Sequence, residues 1–245
     1  MQNVNNLSDI CKRLEVIEIA IEQACQRSNR ASSEISILPI SKKQPLEIIK
    51  AAYGCGIRTF GESYVQEAQQ KIEALSDYAD IQWEMVGHIQ SNKAKSVAQT
   101  FTGVHSLDSL KLACLLDKNR PENMPALDVF VEVNVSGEFS KTGFPAQTQA
   151  DWEALIPVID QIKGLEKLNL KGLMTMPPLF ENYEDVRPYF VRLRELKDFL
   201  NSQVPGKKLT ELSAGTSSDF EIAIEEGATV IRIGERLLGP RNYTR

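Results

Sequence analysis

Apolar residues fall along this chain in two alternating rhythms. The first is helical. Leu7, Ile10, Leu14, Ile17, Ile21 and Cys25 recur at steps of three and four and draw one stripe, which predicts an N-terminal helix over about 6–29. From residue 35 onward, short apolar runs rich in Ile, Val and Leu predict strands at 35–41, 57–61, 81–87, 101–105, 126–135, 168–174, 208–212 and 229–234. Between them the period returns to 3.6, with helices predicted at 45–56, 63–76, 91–99, 107–118, 149–163, 184–202 and 218–226. In 184–202, Val186, Phe190, Leu193, Leu196 and Leu200 share a face, and Pro188 falls in the first turn, where its missing N–H costs nothing.

Eight strands in strict alternation with helices favour an α/β fold, a single (β/α)8 TIM barrel over about 35–243 behind the extra helix, with 1–245 as one domain. A doubly wound open sheet is the alternative, and the lack of a glycine-rich fingerprint after the first strand counts against it. The fifth strand is unusual. Leu127, Val129, Val131, Val133 and Val135 make one face apolar, while Asp128, Phe130, Glu132 and Asn134 occupy the other. A barrel strand is covered on both sides, so the polar face is either a wetted strand end or the lining of a polar lumen.

Composition narrows the function classes. A net charge of −5 lacks the basic field of a dedicated nucleic-acid binder. No apolar run approaches the ~18 residues of a membrane span, and no basic start leads into a signal-type apolar segment, so a cytoplasmic protein is expected. The cysteines, Cys11, Cys25, Cys55 and Cys114, form no C-x-x-C pair and are expected to be small apolar filler. His88 and His105 lie apart from them, and no metal site is expected.

Two stretches carry candidate chemistry. In "LSAGTSSDFEIAIEEGATVIRIG", 212–234, a loop of small residues feeds a helix that the Ser218–Glu221 spacing starts near Ser218. Such a loop presents unpaired N–H groups and can cradle a phosphate, with Ser213, Gly215, Thr216 and Gly234 as candidates; it is equally read as a well-capped polar turn. Arg232 shares strand parity with Val230 and Gly234, and points either into the lumen or outward to an ion pair. In "ILPISKKQPLEII", 37–49, Lys42 and Lys43 sit at the end of the first strand. A lysine across the lumen from a phosphate suggests a Schiff base. The neutral amine this requires costs about 4.6 kcal/mol at pH 7 for an ordinary lysine, unless burial or a second cation lowers it. Two solvated loop lysines are the plainer reading, and strand parity does not choose between the pair.

The segments "PISKKQP", "FGESYVQE", "VGHIQSNK", "VHSLD", "VNVSGEFSKTGF", "GLMTMPP", "LSAGTSSDFEIAI" and "VIRIGERLLG" together resemble the pyridoxal phosphate homeostasis family, itself similar to the barrel domain of alanine racemase. The resemblance implies a fold type III barrel that holds pyridoxal 5'-phosphate (PLP) as a Schiff base on Lys42. It implies a phosphate held by the 213–216 loop and Gly234, and Arg232 near the pyridine nitrogen. Ser63 stands where the family pattern carries asparagine, and Met174 lies near the ring or simply fills the core. A monomer is implied, with transient PLP-acceptor proteins as partners and no nucleic acid or membrane. The implied role is control of PLP and amino-acid balance without catalysis. The alternatives are a PLP-dependent racemase or lyase and a class I aldolase-like barrel.

Overall fold

The structure, a computed structural model, describes residues 2–241, with side chains described from Leu7 onward. The barrel end expected at 243 lies outside those residues. Eight parallel strands form a nearly closed barrel: β1 (Ser36–Pro39), β2 (Thr59–Glu62), β3 (Gln82–Met85), β4 (Gly103–Leu107), β5 (Leu127–Asn134), β7 (Leu168–Met174), β8 (Glu211–Ser213) and β9 (Val230–Ile233). Their order is β1-β9-β8-β7-β5-β4-β3-β2, and the short β6 (Phe144–Pro145) adds to the end of β5. The barrel of the TIM type is thus the observed fold. The β1–β2 seam is thin. It consists of an isolated bridge between Ile40 and Gly61, extended by the Ser41 N–H donating to Gly61 O at 2.9 Å.

Helices alternate with the strands: α1 (Gln2–Arg27), α2 (Leu46–Gly54), α3 (Val65–Ala74), α4 (Ala94–Thr100), α5 (Leu110–Asn119), α6 (Gln149–Lys163), α7 (Arg187–Gln203), α8 (Phe220–Glu225) and α9 (Glu235–Leu238). The expected stripe on α1 buries Ile10, Ile17, Ile21 and Cys25 against α2, α8 and α9. Just beyond α1, the Arg30 guanidinium donates to Ile224 O and Ala228 O, both at 2.7 Å, and satisfies carbonyls at the end of α8. Pro188 does sit in the first turn of α7, whose Phe190, Leu193, Leu196 and Leu200 are buried. Among the described residues no helix is long and apolar enough to cross a membrane.

Some expected boundaries shift, for local reasons. The run 101–105 becomes Gly103–Leu107, because the Phe101 N–H closes α4 on Val97 O and Arg120 binds Phe101 O. The run 208–212 shortens to Glu211–Ser213, because the Asn201 side chain takes both the N–H and the C=O of Leu209 out of the ladder. The first strand stops at Pro39, and residues 41–44 form a turn closed by the Gln44 N–H on Ser41 O at 3.0 Å. The polar face of β5 divides between the two readings. Asp128, at the strand's start, meets Asn169, whereas Glu132 and Asn134 line a cavity at its other end.

One expectation is overturned. Cys11 and Cys55 are not apolar filler; they form a disulfide that ties the first helix to the end of α2. Nothing in their spacing signals this, because α1 and α2 become neighbours only when both pack on the barrel. Cys25 is buried as expected, and Cys114 is a free, exposed thiol.

Peptide mapping without reductant is expected to recover Cys11 linked to Cys55. Cys55→Ser should lower unfolding free energy by about 2–4 kcal/mol in a denaturant titration of oxidised protein, while Cys114→Ser should stay within about 0.5 kcal/mol of the parent.

Candidate functional site

Parallel strands deliver their C-terminal ends to one mouth of a barrel, and a cavity of about 550 Å³ lies there. It is walled by Lys42 after β1, Ser63 after β2, Glu132 and Asn134 of β5, Met174 of β7, Thr216 and Ser217 after β8, and Arg232 and Gly234 of and after β9. Its floor is a small apolar plug inside the barrel, Leu38, Ile40, Phe130, Met174 and Val230. Met174 therefore fills the lumen core and lines the cavity at once.

The Lys42–Lys43 question is settled by the turn rather than by strand parity. Lys43 adopts φ 58° and is exposed, with its N–H donating to Glu67. Lys42 is turned into the cavity and half-buried. Burial, then the cations of Arg241 and Lys43, hold its amine below the usual lysine range, against the opposing pull of Glu62 and Glu67.

Beneath this turn lies a buried ion pair. Glu62 is fully buried; its Oε1 accepts from Lys71 Nζ at 2.6 Å and from Ser41 Oγ at 2.7 Å. Lys71 Nζ also donates to Ser41 O at 2.6 Å and Glu67 Oε1 at 2.7 Å. Both polar groups of Ser41 are thus fixed, one residue before Lys42. Burial pushes the Glu62 carboxyl up, with Lys71 and Ser41 opposing, and Glu62 Oε2 is buried without a partner.

Arg232 points inward and is buried, so the outward ion pair is excluded. Its Nη1 donates to Ser213 Oγ at 2.7 Å and its Nη2 to Thr175 O at 2.9 Å, with Met176 Sδ at 3.0 Å. Burial pushes its pKa down to about 10, and the Asp219 and Glu132 carboxylates oppose the fall, so the guanidinium stays charged at neutral pH. Ser213 Oγ lies 2.8 Å from His105 Nδ1, and His105 Nε2 lies 2.7 Å from Glu84 Oε2. Arginine only donates, so Ser213 Oγ accepts from Arg232, and His105 bridges Ser213 Oγ and the Glu84 carboxylate across the lumen. His105 stacks on Phe130 with centroids 4.3 Å apart.

The 213–216 loop differs from expectation in its donors. The helix starts at Phe220, two residues past Ser218, and the Ser218–Glu221 capping box does not form. Instead Asp219 folds back, and its Oδ1 accepts the Thr216 N–H at 2.6 Å and the Thr216 hydroxyl at 3.0 Å. Gly215 has φ 88°, a conformation that puts a glycine at this bend. Of the expected site residues, the structure brings Lys42, Ser63, Met174, Thr216, Arg232 and Gly234 to one cavity. Ser213 and Gly215 stand behind its wall.

Glu62, Lys71, Glu84, His105, Asp219 and Arg241 were not marked by the sequence reading. A carboxylate inside the run "WEMV" and a histidine inside "VHSL" were the available signals, since polar residues in barrel strands need a partner. The Glu62–Lys71 pair had no local signal. Among the described residues no three His, Cys, Asp or Glu are grouped to hold a metal ion.

Comparisons with known proteins give the family and the fold. Residues 20–242 match the family model described as alanine racemase, N-terminal domain. The pyridoxal phosphate homeostasis protein of Aquifex aeolicus is 42% identical over 95% of this chain and 99% of its own length. The structure of PipY from Synechococcus elongatus with PLP bound superposes with a TM-score of 0.79 at 33% identity, covering 94% of this chain and all of that one. An alanine racemase of Clostridium difficile shares the fold, with TM-score 0.67 at 13% identity, over 97% of this chain and 58% of its own.

Lys71→Met removes the partner of a buried carboxylate and is expected to cost about 3 kcal/mol or more of stability. Glu62→Gln combined with Lys71→Met should recover part of that loss, read as midpoint shifts in urea unfolding.

Proposed function

We propose, for a chain that belongs to the alanine racemase N-terminal domain family among the pyridoxal phosphate homeostasis proteins, that the cavity holds pyridoxal 5'-phosphate as a Schiff base on Lys42. The observation that carries this is a half-buried lysine amine held below its usual range in the same cavity as a buried guanidinium. The residues fit the group. The amine is available for condensation, the Gly/Ser/Thr loop borders the cavity, and the PLP-bound PipY structure has this fold at 33% identity. PLP supplies an aldehyde, which condenses with a primary amine and releases one water.

On this reading Ser63 and Met174 flank the ring, Thr216 and Gly234 border the phosphate, and Gly215 shapes that loop. Arg232 faces the pyridine nitrogen, and Ser213 acts through it. A guanidinium that keeps its own proton can only donate to that nitrogen, which leaves the ring a weak electron sink. Carbanion chemistry on a bound amino acid is then poorly supported, and the protein stores and releases PLP rather than turning substrate over. The role is control of free PLP and of amino-acid balance in the cytoplasm, as a monomer that exchanges PLP with transient acceptor proteins.

Purified protein mixed with PLP is expected to gain a visible absorption band, and borohydride should trap a mass increase on Lys42. Lys42→Ala should abolish both; a reduced adduct at Lys43 would overturn the assignment. Turnover of any D- or L-amino acid would favour a racemase or lyase. Because the Lys42 amine is held low, the rate of imine formation should rise with pH to a plateau whose midpoint lies below that of a free lysine amine, followed by stopped-flow absorbance.

A further inference from the structure

The 213–216 loop leaves a problem that the rest of the site does not solve. A phosphate monoester carries a charge of −1.5 to −2 at pH 7 and needs strong donors. Yet both donors of Thr216, its N–H and its hydroxyl, are already taken by Asp219, itself a carboxylate. The loop therefore offers an anion little at Thr216 and adds a like charge behind it. A cation must come from elsewhere.

Arg241 supplies one. It follows α9 on a short strap, Gly239–Pro240, which is fastened to the Lys42 turn: Gln44 Nε2 donates to Gly239 O at 2.8 Å. The guanidinium lines the cavity beside Gly234, and its side chain is 20% exposed. A Cβ built at position 234 would come 2.8 Å from Arg241 Nη2, so the guanidinium lies directly over the Gly234 backbone. Among the described residues its donors are under-used: the Arg241–Glu235 separation of 3.7 Å is too long for a hydrogen bond, and Arg241 Nε is buried with no partner there. The exposed part of the guanidinium faces the cavity, where an anionic ligand can meet its donors.

We infer that Arg241 is the cation that binds the phosphate group of the ligand at the Ser217–Gly234 side of the cavity, and so sets the preference for phosphorylated over unphosphorylated aldehydes. This rests on the reading of the cavity as a PLP site. Arginine suits the task because its planar fork meets two oxygens of a phosphate at once.

The test compares PLP, pyridoxal and inorganic phosphate on purified wild type, Arg241→Met and Arg241→Lys. Losing a charge-assisted pair should weaken PLP binding on the order of 10- to 100-fold in Arg241→Met, with pyridoxal unchanged within about twofold. Inorganic phosphate should compete with PLP in wild type and much less in Arg241→Met. Arg241→Lys keeps the charge without the fork and should recover part of the preference. Equal loss of PLP and pyridoxal, or no loss of either, overturns the inference while leaving the PLP reading intact. Wild type that binds neither aldehyde overturns the reading and, with it, the inference. Should Arg241→Met fail to fold, phosphate competition in wild type against Arg241→Lys decides, and equal competition in the two ends the proposal.

Discussion

A buried guanidinium inside a parallel barrel is the constraint around which this mouth is arranged. Arg232 keeps its charge, so its donors must find acceptors in the lumen. The acceptors are neutral: a serine hydroxyl, a backbone carbonyl and a thioether. That choice sets a chain of orientation. Ser213 Oγ accepts from Arg232 and meets His105 Nδ1, and the other ring nitrogen of His105 meets Glu84. The chain crosses the barrel, because β4 and β8 are not neighbours in the sheet. It fixes the inward end of the cavity from the opposite wall. The compensating carboxylates, Glu132 and Asp219, act at longer range and stabilise the charge without capping its donors.

The opposite side of the mouth is held differently. β1 and β2 share only a bridge, so the backbone ladder contributes little there. The Glu62–Lys71 pair stands in for it, binding Ser41 through its hydroxyl and its carbonyl. A few residues on, Gln44 ties the same turn to the strap that carries Arg241. Lys42 is thus placed by side-chain bonds on both flanks, at the seam where strand pairing is weakest. A buried pair of this kind is poor value as stability, since desolvation offsets much of the attraction; its use here is to specify one geometry for a turn that the ladder leaves loose.

The two sides give the cavity its electrical character. A fixed cation closes one end, an amine with a depressed proton affinity stands at another, and a further guanidinium lies beside Gly234. An anionic carbonyl compound is complementary to each of these. On the proposed reading, the same cations that hold such a ligand also withhold electron demand from its ring, so a site strong in binding is weak in bond-breaking.

Much of this was legible in the chain itself. Strand and helix periods are local, so the eight-strand alternation, the α1 stripe and Pro188 at the start of α7 follow from side-chain spacing alone. Strand parity grouped Arg232 with Val230 and Gly234, and Glu132 with Asn134, but left open whether either face met the lumen; the closed barrel turned both inward. The tertiary structure decided the rest, where the controlling contacts join residues far apart in sequence. Parity could not separate Lys42 from Lys43, because a turn and not a strand carries them. Asp219 empties Thr216 of its donors, Lys71 finds Glu62, Cys11 finds Cys55, and Arg241 reaches the cavity, each only once the barrel has closed. Periodicity reports which side of an element faces inward; it carries no information about which distant group will be waiting there.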